Sequence, residues 1–87
     1  MRIFTQTITT PLTVSAADGV FYISLLVGDS STVTILGNAQ GFQQRTPNAV
    51  SLKSGQTWTT SSQISEGSID GLVITPSGNA YVQIGLN

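Results

Sequence analysis

Glycine or proline interrupts this chain roughly every ten residues, from Pro11 through Gly19, Gly28, Gly37, Pro47, Gly55, Gly67 and Pro76 to Gly85. An average α-helix runs to about 11 residues, and no window of that length places apolar residues at helical spacing. The intervals hold instead a period of two, the alternation of strands. Composition agrees: seven Val and eight Ile stand beside 11 Ser and 12 Thr. The β-branched ones lose rotamer freedom in helices and fit a pleated surface. The chain is expected to be all-β, with no significant helix.

Eight intervals read as strands: residues 2–9, 12–15, 20–27, 32–36, 50–53, 56–60, 69–75 and 80–86. Turn chemistry separates them at Asp18-Gly19, Gly28-Asp29-Ser30-Ser31, Ser54-Gly55 and Pro76-Ser77-Gly78-Asn79. Two of these turns are expected to close tight hairpins, one of them joining 20–27 to 32–35. The stretch 37–48 lacks periodicity and forms the longest loop, a natural place for contacts. The spacing predicts one antiparallel β-sandwich, jelly-roll-like, spanning residues 1–87, with residues 1–10 as an edge strand or N-terminal arm.

With 87 residues, folding removes only about 60 to 65% of the unfolded chain's surface, so a lone monomer has a thin core. Charged residues make up 8%, against about 25% in an average soluble domain. Arg2, Arg45 and Lys53 lie far apart and the net charge is -1, which excludes nucleic-acid binding through a basic patch. The longest apolar run, 20–26, is broken by Ser24 and falls far short of the ~20 residues of a membrane helix. No apolar leader follows Met1, so no secretory signal is expected.

The sequence has no Cys and no His, which removes thiol and imidazole chemistry and soft-metal ligation. The four acids, Asp18, Asp29, Glu66 and Asp70, each adjoin a glycine and are expected to accept backbone hydrogen bonds at turns. No stretch holds two acids within three positions, which is too sparse for calcium. Glu66 with Asp70 is the sole spacing that suggests a glycosidase pair, and nothing beside it suggests a sugar cleft. The serines lack a base. No catalytic, cofactor-binding or metal residue is assigned, and the chain is expected not to be an enzyme.

Association is the remaining theme. Strand 20–27 points Phe21, Ile23, Leu25 and Val27 to one side and Val20, Tyr22, Ser24 and Leu26 to the other, so both faces are largely apolar. A sandwich strand has one core face and one outer face. The second face is covered either by the 37–48 loop or by another subunit, with Val20, Tyr22 and Leu26 as anchors. The first strand puts Phe4 and Ile8 on one face and either closes its own sheet's edge or pairs with a neighbouring chain. Trp58, framed by polar residues, plugs the core, anchors an interface or stacks on a sugar. Arg45, before Pro47, is the most exposed charge and would pair with an acid of a neighbour.

The succession Val50-Ser51-Leu52-Lys53-Ser54-Gly55-Gln56-Thr57-Trp58, followed by Ile69-Asp70-Gly71-Leu72-Val73-Ile74-Thr75-Pro76-Ser77-Gly78-Asn79-Ala80-Tyr81-Val82-Gln83-Ile84, resembles the C-terminal half of small jelly-roll or β-sandwich virion proteins of tailed bacteriophages. The resemblance implies a capsid decoration or auxiliary protein: a symmetric homo-oligomer, expected to be a trimer, in contact with the major capsid protein. It places the chain in the virion, assembled in the host cytoplasm. Another implied role is a glycan- or receptor-binding module of a fibre or tail, with Trp58 and Tyr81 as stacking platforms. It carries no catalytic residue and no cofactor.

Overall fold

The computed structural model describes residues 2–37, 49–63, 65 and 67–86. Its strands are β1 (Arg2–Ile8), β2 (Leu12–Val14), β3 (Val20–Val27), β4 (Thr32–Gly37), β5 (Ala49–Lys53), β6 (Thr57–Ser61), β7 (Leu72–Ser77) and β8 (Ala80–Leu86), with a 3-10 turn at Ala16–Asp18. The intervals expected at 20–27 and 80–86 match β3 and β8, and the others shift by one to three residues. The largest shift is at β7. Its start is delayed because Asp70 and Gly71, the latter at φ 77, still belong to a turn.

Two antiparallel four-stranded sheets result, in the orders β1-β8-β3-β6 and β2-β7-β4-β5. Every link between successive strands crosses from one sheet to the other except β4 to β5, which are neighbours. That is the jelly-roll arrangement of an eight-stranded double sheet. The hairpins expected at the short turns are therefore absent. Gly28–Ser31, Ser54-Gly55 and Gly78-Asn79 each carry the chain across the sandwich, and 20–27 does not pair with 32–35. The strands leaving a turn find their partners far along the chain.

The core is the apolar half of each alternation. Ile23, Leu25 and Val27 of β3 with Ala80 and Val82 of β8 meet Leu72 and Ile74 of β7 and Val33 and Ile35 of β4, all essentially without solvent contact. Pro76 lies in β7, a central strand, where a missing N–H is normally costly. It is accommodated because the three-residue β2 reaches only Leu72 to Ile74, so Pro76 faces β4 alone.

Two expected surface anchors belong to this core. Val20 pairs with Leu86 while Tyr22 pairs with Gly85, so Phe21 is an extra residue in a β-bulge. The bulge shifts the alternation by one residue and turns Val20 inward with Ile23, at 4% exposure. Ile8, opposite Ala80, is likewise buried, the one residue of β1 that is. Trp58 pairs with Leu25 and faces inward, half-buried against the core, as expected of a plug.

Three crossing turns are clamped together at one end. Ser31 Oγ donates to Asn79 Oδ1 (3.0 Å) and accepts from Asn79 N–H (3.0 Å), while Gly28 N–H donates to the Asn79 carbonyl (3.0 Å). Ser54 Oγ donates to the Gly28 carbonyl (3.0 Å), and Gly55 N–H to that of Val27 (3.0 Å). At the other end two acids accept backbone donors as expected. Asp18 Oδ2 takes the Ser15 N–H (2.9 Å) and Asp70 Oδ1 the Ala16 N–H (3.0 Å). Asp70→Ala removes one charge-assisted bond between distant segments. It should lower stability by about 1 kcal/mol, or about 4 to 8 °C in the thermal midpoint followed by circular dichroism.

Candidate functional site

Strand pairing assembles a surface that no single strand shows. Cross-strand partners share a face, so the register of the β1-β8-β3-β6 sheet arranges its outer side in three rows of four. The first row is Ile3, Gly85, Tyr22 and Ser61; the second Thr5, Gln83, Ser24 and Thr59; the third Thr7, Tyr81, Leu26 and Thr57. None of these positions is charged. The described charged residues lie at strand ends and turns: Arg2 and Lys53 at the ends of β1 and β5, Asp18, Asp29 and Asp70 outside the strands. The described charges are thus distributed so that this sheet face has none.

The face is apolar at its anchors and hydroxylated between them. Ile3, Leu26 and Tyr81 are 51%, 40% and 43% exposed, high values for large apolar residues. Thr59 Oγ1 donates to Ser24 Oγ (3.2 Å) within the middle row, and Asn79 Nδ2 donates to the Tyr81 hydroxyl (3.2 Å) from the clamped turn. These bonds hold small polar groups flat against the sheet. A shallow depression of about 260 Å³ lies among Thr5, Ser24, Leu26, Thr57, Tyr81 and Gln83.

A second opening lies where one sheet outruns the other. β1 has seven residues while β2 has three. The inward side of β1 around Phe4 and Gln6 therefore overhangs the sandwich mouth, leaving a cleft of about 540 Å³ walled by Phe4, Leu12, Val14, Val20, Ile84 and Leu86, with Asp18 at its lip. Phe4 is 49% exposed there, with the Arg2 guanidinium 5.8 Å from its ring centre.

Of the anchors expected from sequence, Tyr22 and Leu26 lie on the uncharged face and Phe4 lies at the cleft. Ile8 and Val20 are core residues and Trp58 points inward. Arg45 and Glu66 fall outside the described residues, as does most of the 37–48 loop. Ile3 and Tyr81 were not expected among the interface anchors, and only the register brings them beside Tyr22 and Leu26.

Chemically the face offers apolar contact and neutral hydrogen bonding. Among the described residues no group of three His, Cys, Asp or Glu could hold a metal ion, and every buried side-chain nitrogen or oxygen has a partner. No described helix is long and apolar enough to cross a membrane. No protein-family model, curated protein or solved structure matches the chain.

Proposed function

We propose that this chain is a structural subunit that acts by being built into a larger assembly, as a bacteriophage decoration or auxiliary capsid protein is, and that it catalyses nothing. The observation that carries this reading is the uncharged outer face of the β1-β8-β3-β6 sheet. Its mechanism is burial: removing apolar surface from water is worth about 25 cal/mol per Å², and a standard interface hides ~800 Å² per partner. Ile3, Tyr22, Leu26 and Tyr81 supply apolar contact, and the Ser, Thr and Gln side chains between them bond across the interface without ionic desolvation. The partners are further copies of the chain, in a symmetric trimer, and the major protein of a virion shell.

Light scattering tests it. The protein should be oligomeric at micromolar concentration or bind quantitatively to shells, and Leu26→Lys should weaken association at least about tenfold, because a buried unpaired ammonium costs more than 1.4 kcal/mol. A monomer that binds no shell overturns the proposal.

The depression beside Tyr81 supports a second reading, a site for a neutral sugar. An exposed aromatic ring flanked by hydroxyls and the Gln83 amide suits a pyranose. Trp58 has no part in this reading, since it faces inward. A glycan array on the oligomer separates the two: the structural reading expects no hits, and hits abolished by Tyr81→Ala favour sugar recognition.

A further inference from the structure

We infer that β1 is a self-pairing edge, joining antiparallel to β1 of a second copy across a two-fold axis at Thr5. The pairing rests on the assembly reading and, being two-fold, joins copies of two different trimers rather than copies within one. Among the described residues β1 is hydrogen-bonded on one side only, to β8, in a register unbroken over all seven residues. Long edges are normally guarded by proline, a bulge or an interior charge. β1 has none of these between Ile3 and Ile8. The edges of the other sheet are guarded: β2 is three residues long and preceded by Pro11, and β5 ends in Lys53. β1 also presents large apolar residues on both its faces, Ile3 outward and Phe4 inward, each half-exposed. One occupant that covers both faces of a strand is the next strand of the same sheet.

A second copy fits. In a two-fold antiparallel pair the partner numbers have a constant sum, and only the axis at Thr5 pairs all seven residues. That register sets Arg2 against Ile8 of the other copy, keeping the two guanidiniums at opposite ends. It sets Ile3 against Thr7 on the outer face and Phe4 against Gln6 over the sandwich mouth. The second copy's inward side chains thereby extend across the lip of the 540 Å³ cleft left open by the shortness of β2. The uncharged face continues unbroken into an eight-stranded sheet.

Seven residues at about 3.4 Å make an edge about 24 Å long. Strand pairing along it is one contact of the assembly, smaller than the ~800 Å² per partner of a standard interface.

The cysteine-free sequence allows a direct test on the full chain. Directly opposed residues of an antiparallel pair have Cα atoms about 4.5 to 5.5 Å apart, within disulfide reach. Thr5→Cys should therefore convert to a disulfide-linked dimer on mild oxidation. Ile3→Cys and Thr7→Cys should each stay unlinked alone but cross-link when mixed, and Ser51→Cys on β5 should stay unlinked. Absence of cross-linking on β1 while light scattering still finds an oligomer overturns the self-pairing edge and leaves the assembly reading standing. A monomer without cross-links that binds shells likewise overturns only the edge pairing, and one that binds no shell overturns both. Equal cross-linking at Ser51 reveals random collision and overturns the edge pairing.

Discussion

Ile74→Ala should cost about 3 kcal/mol of folding stability, visible as a fall of about 12 to 24 °C in the thermal midpoint. Ile74 has no solvent exposure and lies in β7, between Leu12 of β2 and Ile35 of β4. Truncation leaves a cavity that two flanking strands cannot collapse into without losing their ladders. A domain of this size holds about 4 to 13 kcal/mol in all, so the single change removes a large share. Leu26→Ala provides the contrast. Leu26 is also an apolar residue in a central strand, but it is 40% exposed on the outer face, and its truncation should move the stability of the monomer, measured at a concentration below association, by less than about 0.5 kcal/mol. Chemical denaturation measures both. A loss at Leu26 equal to that at Ile74 would mean that the outer face supports the monomer, against the proposed role in association.

The second large effect is expected at Gly78. Its φ is 107, a conformation that residues with a Cβ rarely adopt, and a Cβ built there would collide with Ser31 Oγ and lie 2.9 Å from Ser31 Cβ. Backbone strain accounts for about 1 to 3 kcal/mol. Moving Ser31 breaks its exchange of hydrogen bonds with Asn79, which clamps two crossing turns and accounts for about 1 kcal/mol or more again. Gly78→Ala should therefore destabilise by about 2 to 4 kcal/mol. Gly55→Ala is the control. That glycine has φ 82 with nothing within 4 Å of a Cβ, so only the left-handed backbone penalty of about 1 to 2 kcal/mol applies. Urea titrations of the two variants should differ by at least a factor of two in lost stability.

How much of this was legible in the sequence follows from the range of each cause. Glycine and proline act locally, and the eight strands they delimit were expected within one to three residues. Alternation is local too, and it identified Ile23, Leu25 and Val27 as one face of β3 and Tyr22 and Leu26 as the other. The bulge at Phe21 carries no local mark, since neither Gly nor Pro signals it, and so Val20 was expected on the wrong side. The hairpins failed for a related reason. The turn Gly28–Ser31 suits a hairpin by composition, but β3 pairs with β8 and β6, both distant in sequence. The uncharged face depends on that same long-range register. Low charge was visible in the composition, whereas its exclusion from one surface appears only when Ile3, Tyr22, Leu26 and Tyr81 are aligned.

The order β1-β8-β3-β6 also bears on synthesis. β8, the last strand of this domain to be translated, occupies an interior position between β1 and β3. Until residue 86 has left the ribosome, β1 lacks β8 and one side of β3 stays unpaired, so the sheet cannot close before β8 emerges. Such non-local topologies fold on a scale of ~milliseconds to seconds, slowly for their size. A chain broken off before β8 keeps its apolar strand faces uncovered and is exposed to chaperones and proteases. Placing the final strand inside the sheet makes completion of the domain a condition for presenting the surface through which it is proposed to assemble.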